Sequence, residues 1–181
     1  SPASVLEQSE QFAAIAQEFN GGEFASATRP EDRTKLWQAR HDSYFAVKGL
    51  RPGDTIQSVS TDVCVPISML AECVAETSAD IAANGLIGPV VGHVGDGNFH
   101  TQLLIDITNP EEIAKAEAVI SRMNERAIAL DGTCTGEHGV GQGKRKYLVK
   151  EHGHGLDIMR VIKAALDPLG ILNPGKILPD A

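Results

Sequence analysis

Aromatic side chains are scarce in this chain, with one Trp, two Tyr and five Phe among 181 residues. A nucleic-acid surface needs such rings interleaved with basic residues, and the formal net charge is −8, so a general nucleic-acid partner is argued against. Cysteine is rarer still. Cys64, Cys73 and Cys134 are widely spaced and odd in number, which suits a reducing compartment such as the cytoplasm and leaves no disulfide framework. No apolar run reaches the length of a membrane span, no secretory leader pattern opens the sequence, and there is no internal repeat or low-complexity tract. What is present, 42% hydrophobic and 22% charged residues, describes an ordinary globular chain, read as one domain with room for a real core.

Helical and extended patterns alternate along it. Ser4 and Glu7 fit a capping box for a first helix reaching Phe19, which Asn20-Gly21-Gly22 would end. Glu23 to Thr28 reads as a short strand, and Pro30 opens a second helix to about Val47. Trp37, Arg40, Tyr44 and Val47 form one stripe of that helix. Arg40 there either stacks on Trp37 or pairs with a neighbouring carboxylate, or holds a substrate. Thr55 to Val65 reads as a strand and Pro66 to Ile81 as a third helix. Asn109-Pro110 starts a fourth, with Ile113, Ala116, Ile120, Met123, Ala127 and Leu130 as its apolar face. Helices from Lys144 to Glu151 and Leu156 to Leu166 follow, then a tail whose three prolines exclude a helix. This order predicts an α+β fold in which helices cover an antiparallel sheet.

One stretch carries chemistry: Gly92-His93-Val94-Gly95-Asp96-Gly97-Asn98-Phe99-His100-Thr101-Gln102. Asp96-Gly97 suits the tip of a two-residue hairpin. His93 would then face His100 across the ladder, close enough to share a metal ion. Gln102 joins them on that face, while Val90, Val94, Phe99, Thr101, Leu103 and Ile105 take the other. Spacing alone favours two unrelated loop histidines over a metal pair, and a third ligand is needed to reverse that. Glu137-His138, inside a second glycine-dense stretch, offers a carboxylate ligand and a base. His93, His100 and Glu137 would form a two-histidine, one-carboxylate set acceptable to zinc, manganese or iron(II). The glycines around them are neither a P-loop nor a dinucleotide motif, since His138 and Arg145 break the first and the spacing breaks the second. Cys134 could be a fourth ligand or a nucleophile, but reads more simply as a small packing residue, and Lys144-Arg145-Lys146 as a solvated helix start.

These segments resemble a known family. Leu36-Trp37-x-x-Arg40, Ser60-Thr-Asp-Val-Cys-Val-Pro66, Gly92 to His100, Gly132-Thr-Cys-Thr-Gly-Glu-His-Gly-Val-Gly141 and Leu166-Asp-Pro-x-Gly-x-Leu-Asn-Pro-Gly-Lys176 are similar to the C-terminal cap domain of FAD-linked oxidases of the vanillyl-alcohol-oxidase type. The nearest branches are the cytochrome-type D-lactate dehydrogenases and the glycolate oxidase flavoprotein subunit. The resemblance implies a ferredoxin-like cap lacking its first strand, and a fragment whose FAD is held mainly by a separate N-terminal domain. It implies that His93, His100 and Glu137 bind a divalent metal, zinc or manganese, that Arg40 holds the substrate carboxylate, and that Gln102 is a polar substrate contact. His138 would be the base and a further substrate contact; Thr135 and Asn173 would lie toward the flavin. Where 2-hydroxyglutarate dehydrogenases carry a lysine this chain has Ser60, which implies a monocarboxylate such as D-lactate.

The whole enzyme would pass electrons to a cytochrome, a quinone or an electron-transfer flavoprotein. A homodimer is a further expectation, in the cytoplasm or against the bacterial inner membrane, or in the mitochondrion of a eukaryote. A free-standing metal-dependent hydrolase, or a non-catalytic module docking through the tail, are the rival readings of the same residues.

Overall fold

The computed structural model describes residues 1–179, which divide into two compact units, Ser1–Ala46 and the chain from Val47 onward. The first unit contains α1 (Pro2–Glu18) and most of α2 (Pro30–Gly49). The cap of α1 is Ser1 rather than Ser4: its hydroxyl accepts the Ser4 N–H at 3.3 Å, and Pro2 takes the first helical position. Glu23 to Thr28 forms no strand, since this unit holds no ladder for it to join; Phe24 instead packs its ring 5.6 Å from that of Phe12.

In the second unit the chain runs through β1 (Ile56–Ser60), β2 (Val63–Cys64), α3 (Ile67–Ala83), β3 (Val90–His93), β4 (Asn98–Asp106), α4 (Pro110–Ala129), α5 (Leu148–His152) and α6 (Gly155–Leu166). All four strands form one antiparallel sheet built on β4, to which the other three bond. Val59 opposes Leu103 and Val63 opposes Phe99, so β1 and β2 follow one register along β4. They are the single strand expected from the sequence, interrupted at Thr61–Asp62. β3 takes the opposite edge, with Val91 opposite His100.

Alternation then sorts the side chains of β4. Phe99, Leu103 and Ile105 are buried against α3 and α4, joined by Val63, Cys73, Ile81, Val119, Met123 and Ala127. Each fully buried large apolar side chain there contributes about 1.5–3 kcal/mol. The amphipathic stripe of α4 lies where its periodicity places it, with Asn109 capping Glu111 and Glu112. Asn98, His100 and Gln102 point to the other face. A third cluster, Cys134, Tyr147, Leu148 and Leu156, packs the segment after α4. The proline-rich tail is non-helical as expected, and its Ile177 N–H donates to the Gly141 carbonyl at 2.8 Å. No helix among the described residues is long and apolar enough to cross a membrane.

Helices α3 and α4 are latched by Asp80, which accepts from Arg122 Nε and Nη2 at 2.8 and 2.7 Å and lies 3.8 Å from Arg126. The Arg122 guanidinium holds the Asp80 carboxyl below the usual carboxylate range. A depressed carboxylate stabilises the fold above its unfolded-state range and loses that contribution as pH falls through the folded value. Asp80→Asn should therefore cost about 1–2 kcal/mol at neutral pH, discounted because Arg122 is half exposed. Urea unfolding of both proteins should show this gap closing in acid, and a gap that persists there would contradict the latch.

Candidate active site

The two histidines meet on one face, but through a different turn from the one expected. Val94–Asp96 coils as a 3-10 turn and Gly97 closes it at φ 75°, leaving His93 opposite Asn98 rather than His100. Gly97 is held to glycine twice over, because a Cβ there would also lie 2.0 Å from the Val65 carbonyl oxygen. The longer loop moves the register by an even number of residues, so His93 keeps the face it was expected to have. It now meets His100 diagonally, with ring centroids 6.4 Å apart. Val94, by contrast, is drawn into the turn and exposed rather than packed on the apolar side.

Glu137 and His138 reach this face on the loop after α4. Thr133 and Cys64 exchange backbone hydrogen bonds at 2.7 and 3.2 Å, which lays the loop beside β2. At Gly136 a Cβ would stand 2.0 Å from Asn98 Nδ2 and 2.6 Å from Asp62 Oδ1, so only glycine lets the backbone lie this close to the sheet. Glu137 Oε1 then comes to 2.9 Å from His100 Nε2, and Oε2 to 3.8 Å from His93 Nε2. His138 stacks its ring on that of His100 with centroids 4.8 Å apart and planes 4° from parallel. Its Nε2 is 3.8 Å from Glu137 Oε1.

The donor set fits a divalent cation. One donor atom from each of His93, His100 and Glu137 lies within 4.8 Å of the others. His100 is buried, and its Nδ1 faces the Thr61 carbonyl at 2.9 Å. A carbonyl only accepts, so Nδ1 carries the proton and Nε2 presents its lone pair. Asp62, His100 and His138 form a second such group. Asp62 is unsuited to ligation because its oxygens already accept from Glu137 N–H, His138 N–H and Asn98 Nδ2. Burial pushes the Asp62 carboxyl up, but the His138 and Glu137 N–H bonds, the Asn98 amide and the Lys144 charge together hold it below the usual range.

Asp62 and Lys144 are the residues that sequence reasoning passed over. An aspartate within a strand pattern was the available signal for the first, since that residue is depleted in strands. Lys144 is not solvated as expected: Nζ donates to the Asp62 carbonyl at 2.6 Å and lies 3.5 Å from Oδ2. Burial draws its pKa down while Asp62 opposes that shift. Cys134 is the packing residue it was expected to be, fully buried, its thiol pushed up to about 12 by burial and by Glu151.

The family described as FAD linked oxidases, C-terminal domain, matches residues 1–177. The chain belongs to that family. This FAD-linked oxidase domain is 45% identical to the probable mitochondrial D-lactate dehydrogenase of Danio rerio over 98% of the chain and 36% of the relative. It is 43% identical to the mitochondrial D-lactate dehydrogenase [cytochrome] of Arabidopsis thaliana, over 98% of the chain and 31% of that protein. With glycolate oxidase subunit GlcD of Bacillus subtilis it shares 38% identity over 93% of the chain and 35% of that subunit. The chain thus spans about a third of the length of these curated relatives.

Of the other expected site residues, Gln102 shares the histidine face of the oxidase domain. Its Oε1 accepts from Ser58 at 2.7 Å and its Nε2 donates to Ser60 at 3.1 Å. Thr135 turns its hydroxyl toward Asp62, 3.5 Å away. Asn173 stands exposed in the tail at φ 46°. Arg40 is an exposed residue of α2, on the part of that helix that belongs to the first unit.

Proposed function

We propose that this domain supplies the substrate side of an FAD-dependent D-2-hydroxy-acid dehydrogenase acting on a monocarboxylate such as D-lactate. The observation that carries the reading is the convergence of His93, His100, Glu137 and His138 on one sheet face of a FAD-linked oxidase domain. His93, His100 and Glu137 would hold a divalent cation, zinc or manganese, and the rest of the protein would hold most of the FAD; when bound, these groups supply Lewis-acid polarisation of the hydroxyl and a hydride acceptor.

The chain's own residues do the remaining work. His138, half exposed and not committed to the ligand set, takes the hydroxyl proton at its imidazole as the alcohol becomes a ketone. Stacking on His100 keeps that ring from turning away. Gln102 stands ready for a polar group of the substrate. Its serine neighbours are neutral, which fits an acid with one carboxylate. Arg40 is assigned that carboxylate by the family resemblance, as are the flavin-side roles of Thr135 and Asn173. The names of the relatives support a mitochondrial setting in a eukaryote and a cytochrome as electron acceptor.

The test is anaerobic flavin reduction in the full-length protein. D-Lactate should bleach the flavin faster than L-lactate or D-2-hydroxyglutarate. Chelation should slow that reaction at least tenfold, with recovery on adding Mn2+ or Zn2+. A flavin left oxidised by D-2-hydroxy acids of every chain length would refute the assignment.

A further inference from the structure

The ladder between β4 and its β1/β2 edge breaks at two residues only, Thr61, whose carbonyl faces His100, and Asp62, whose carboxylate faces the Glu137–His138 turn. In an unbroken pair the Thr101 N–H would donate to the Thr61 carbonyl. Here the Thr61 N–H still donates to the Thr101 carbonyl at 3.0 Å, but the Thr101 N–H goes to Thr61 Oγ1 at 2.8 Å. The threonine side chain substitutes for its own carbonyl, which is released to accept from His100 Nδ1 at 2.9 Å. Asp62 follows with a carboxylate that is 1% exposed. It accepts the consecutive N–H groups of Glu137 and His138, at 3.0 and 2.8 Å on Oδ2, and Asn98 Nδ2 on Oδ1 at 2.9 Å. Lys144 closes the cage from the side, holding both the carbonyl and the carboxylate of Asp62.

Desolvating a buried carboxylate is costly, and strand pairing alone does not call for one. What the carboxylate achieves is specific to the loop. With both amides pinned, the side chains of Glu137 and His138 leave the same turn in fixed directions, one toward His93 and His100 and the other onto the His100 ring.

We propose that the Thr61–Asp62 interruption is the positioning device of the metal centre, Thr61 setting the His100 ring and Asp62 setting the Glu137–His138 turn. It rests on the metal reading above for the ligands, though not for the hydrogen bonds themselves. Neither residue ligates or reacts; both act through groups that do.

The test is Mn2+ titration of the full-length protein and its variants, at a temperature where circular dichroism shows each folded. Asp62→Asn puts an amide donor against three existing donors, and its dissociation constant for Mn2+ should rise about 10–100-fold. Met123→Ala, which opens the core away from the site, should keep the wild-type constant despite comparable destabilisation. Thr61→Val keeps the shape but frees the Thr101 N–H to reclaim the carbonyl, and should weaken Mn2+ binding several-fold; it carries the test where Asp62→Asn does not fold. Wild-type affinity in the folded variant would overturn the proposal. If the wild-type protein takes up neither Mn2+ nor Zn2+, the metal reading falls, and amide exchange decides the positioning role separately. Exchange at Glu137 and His138 at least tenfold faster in Asp62→Ala, with α4 amides unchanged, upholds that role; equal exchange overturns it.

Discussion

In the full-length protein, His138→Asn is expected to slow flavin reduction by D-lactate by about 10²–10⁴-fold, the range that a positioned general base supplies. Bound metal should change by less than about twofold, because the ligands assigned to it are His93, His100 and Glu137. Asparagine keeps the backbone N–H that donates to Asp62 and a planar group to lie on the His100 ring, so the turn should survive the change. Glu137→Gln should behave oppositely, releasing metal first and losing rate as a consequence. Rapid-mixing kinetics with elemental analysis of each variant separates the two. A His138→Asn protein that reduces its flavin at the wild-type rate would remove His138 from the chemistry and leave the proton without a named acceptor.

The second large effect concerns stability. Phe99 is completely buried, and it sits on β4 between Asn98 and His100 while packing with Val63, Val65, Cys73, Met123 and Ala127. Phe99→Ala should cost about 3–5 kcal/mol, the transfer loss plus the cavity left between sheet and helices. Stability of a domain totals about 5–15 kcal/mol, so a large share of it would go. Phe99→Leu should recover more than half, because most of the volume returns. Equilibrium denaturation followed by far-ultraviolet circular dichroism would measure both; a loss below about 1 kcal/mol for the alanine variant would mean the core is centred elsewhere.

Alternation made much of the second unit readable in advance. The assignment of Phe99, Leu103 and Ile105 to the core and of His100 and Gln102 to the opposite face depends only on a period of two, as does the α4 stripe on its period of 3.6. The hairpin shows why this tolerates error: its loop is longer than the Asp96-Gly97 pair suggests, yet an even shift in register cannot change the face a residue occupies. Lys144 and Asp62 lie 82 positions apart in the chain, and no local pattern announces that one will neutralise the other. Glu137 could be named as a candidate ligand from its glycine-rich setting, but the carboxylate that holds its backbone could not. Glu23 to Thr28 failed for a complementary reason, since a strand is defined by a partner and its own residues do not supply one.

Glu137 and His138 are neighbours on one turn, moored to one carboxylate. Any backbone excursion that withdraws the first from His100 must carry the second off with it. Under the roles proposed here, such a centre has no half-assembled state in which a cation is held but no base stands beside it. Occupancy and competence become a single equilibrium, and a trace of cation chelated by an otherwise idle protein would be the exception rather than the resting condition.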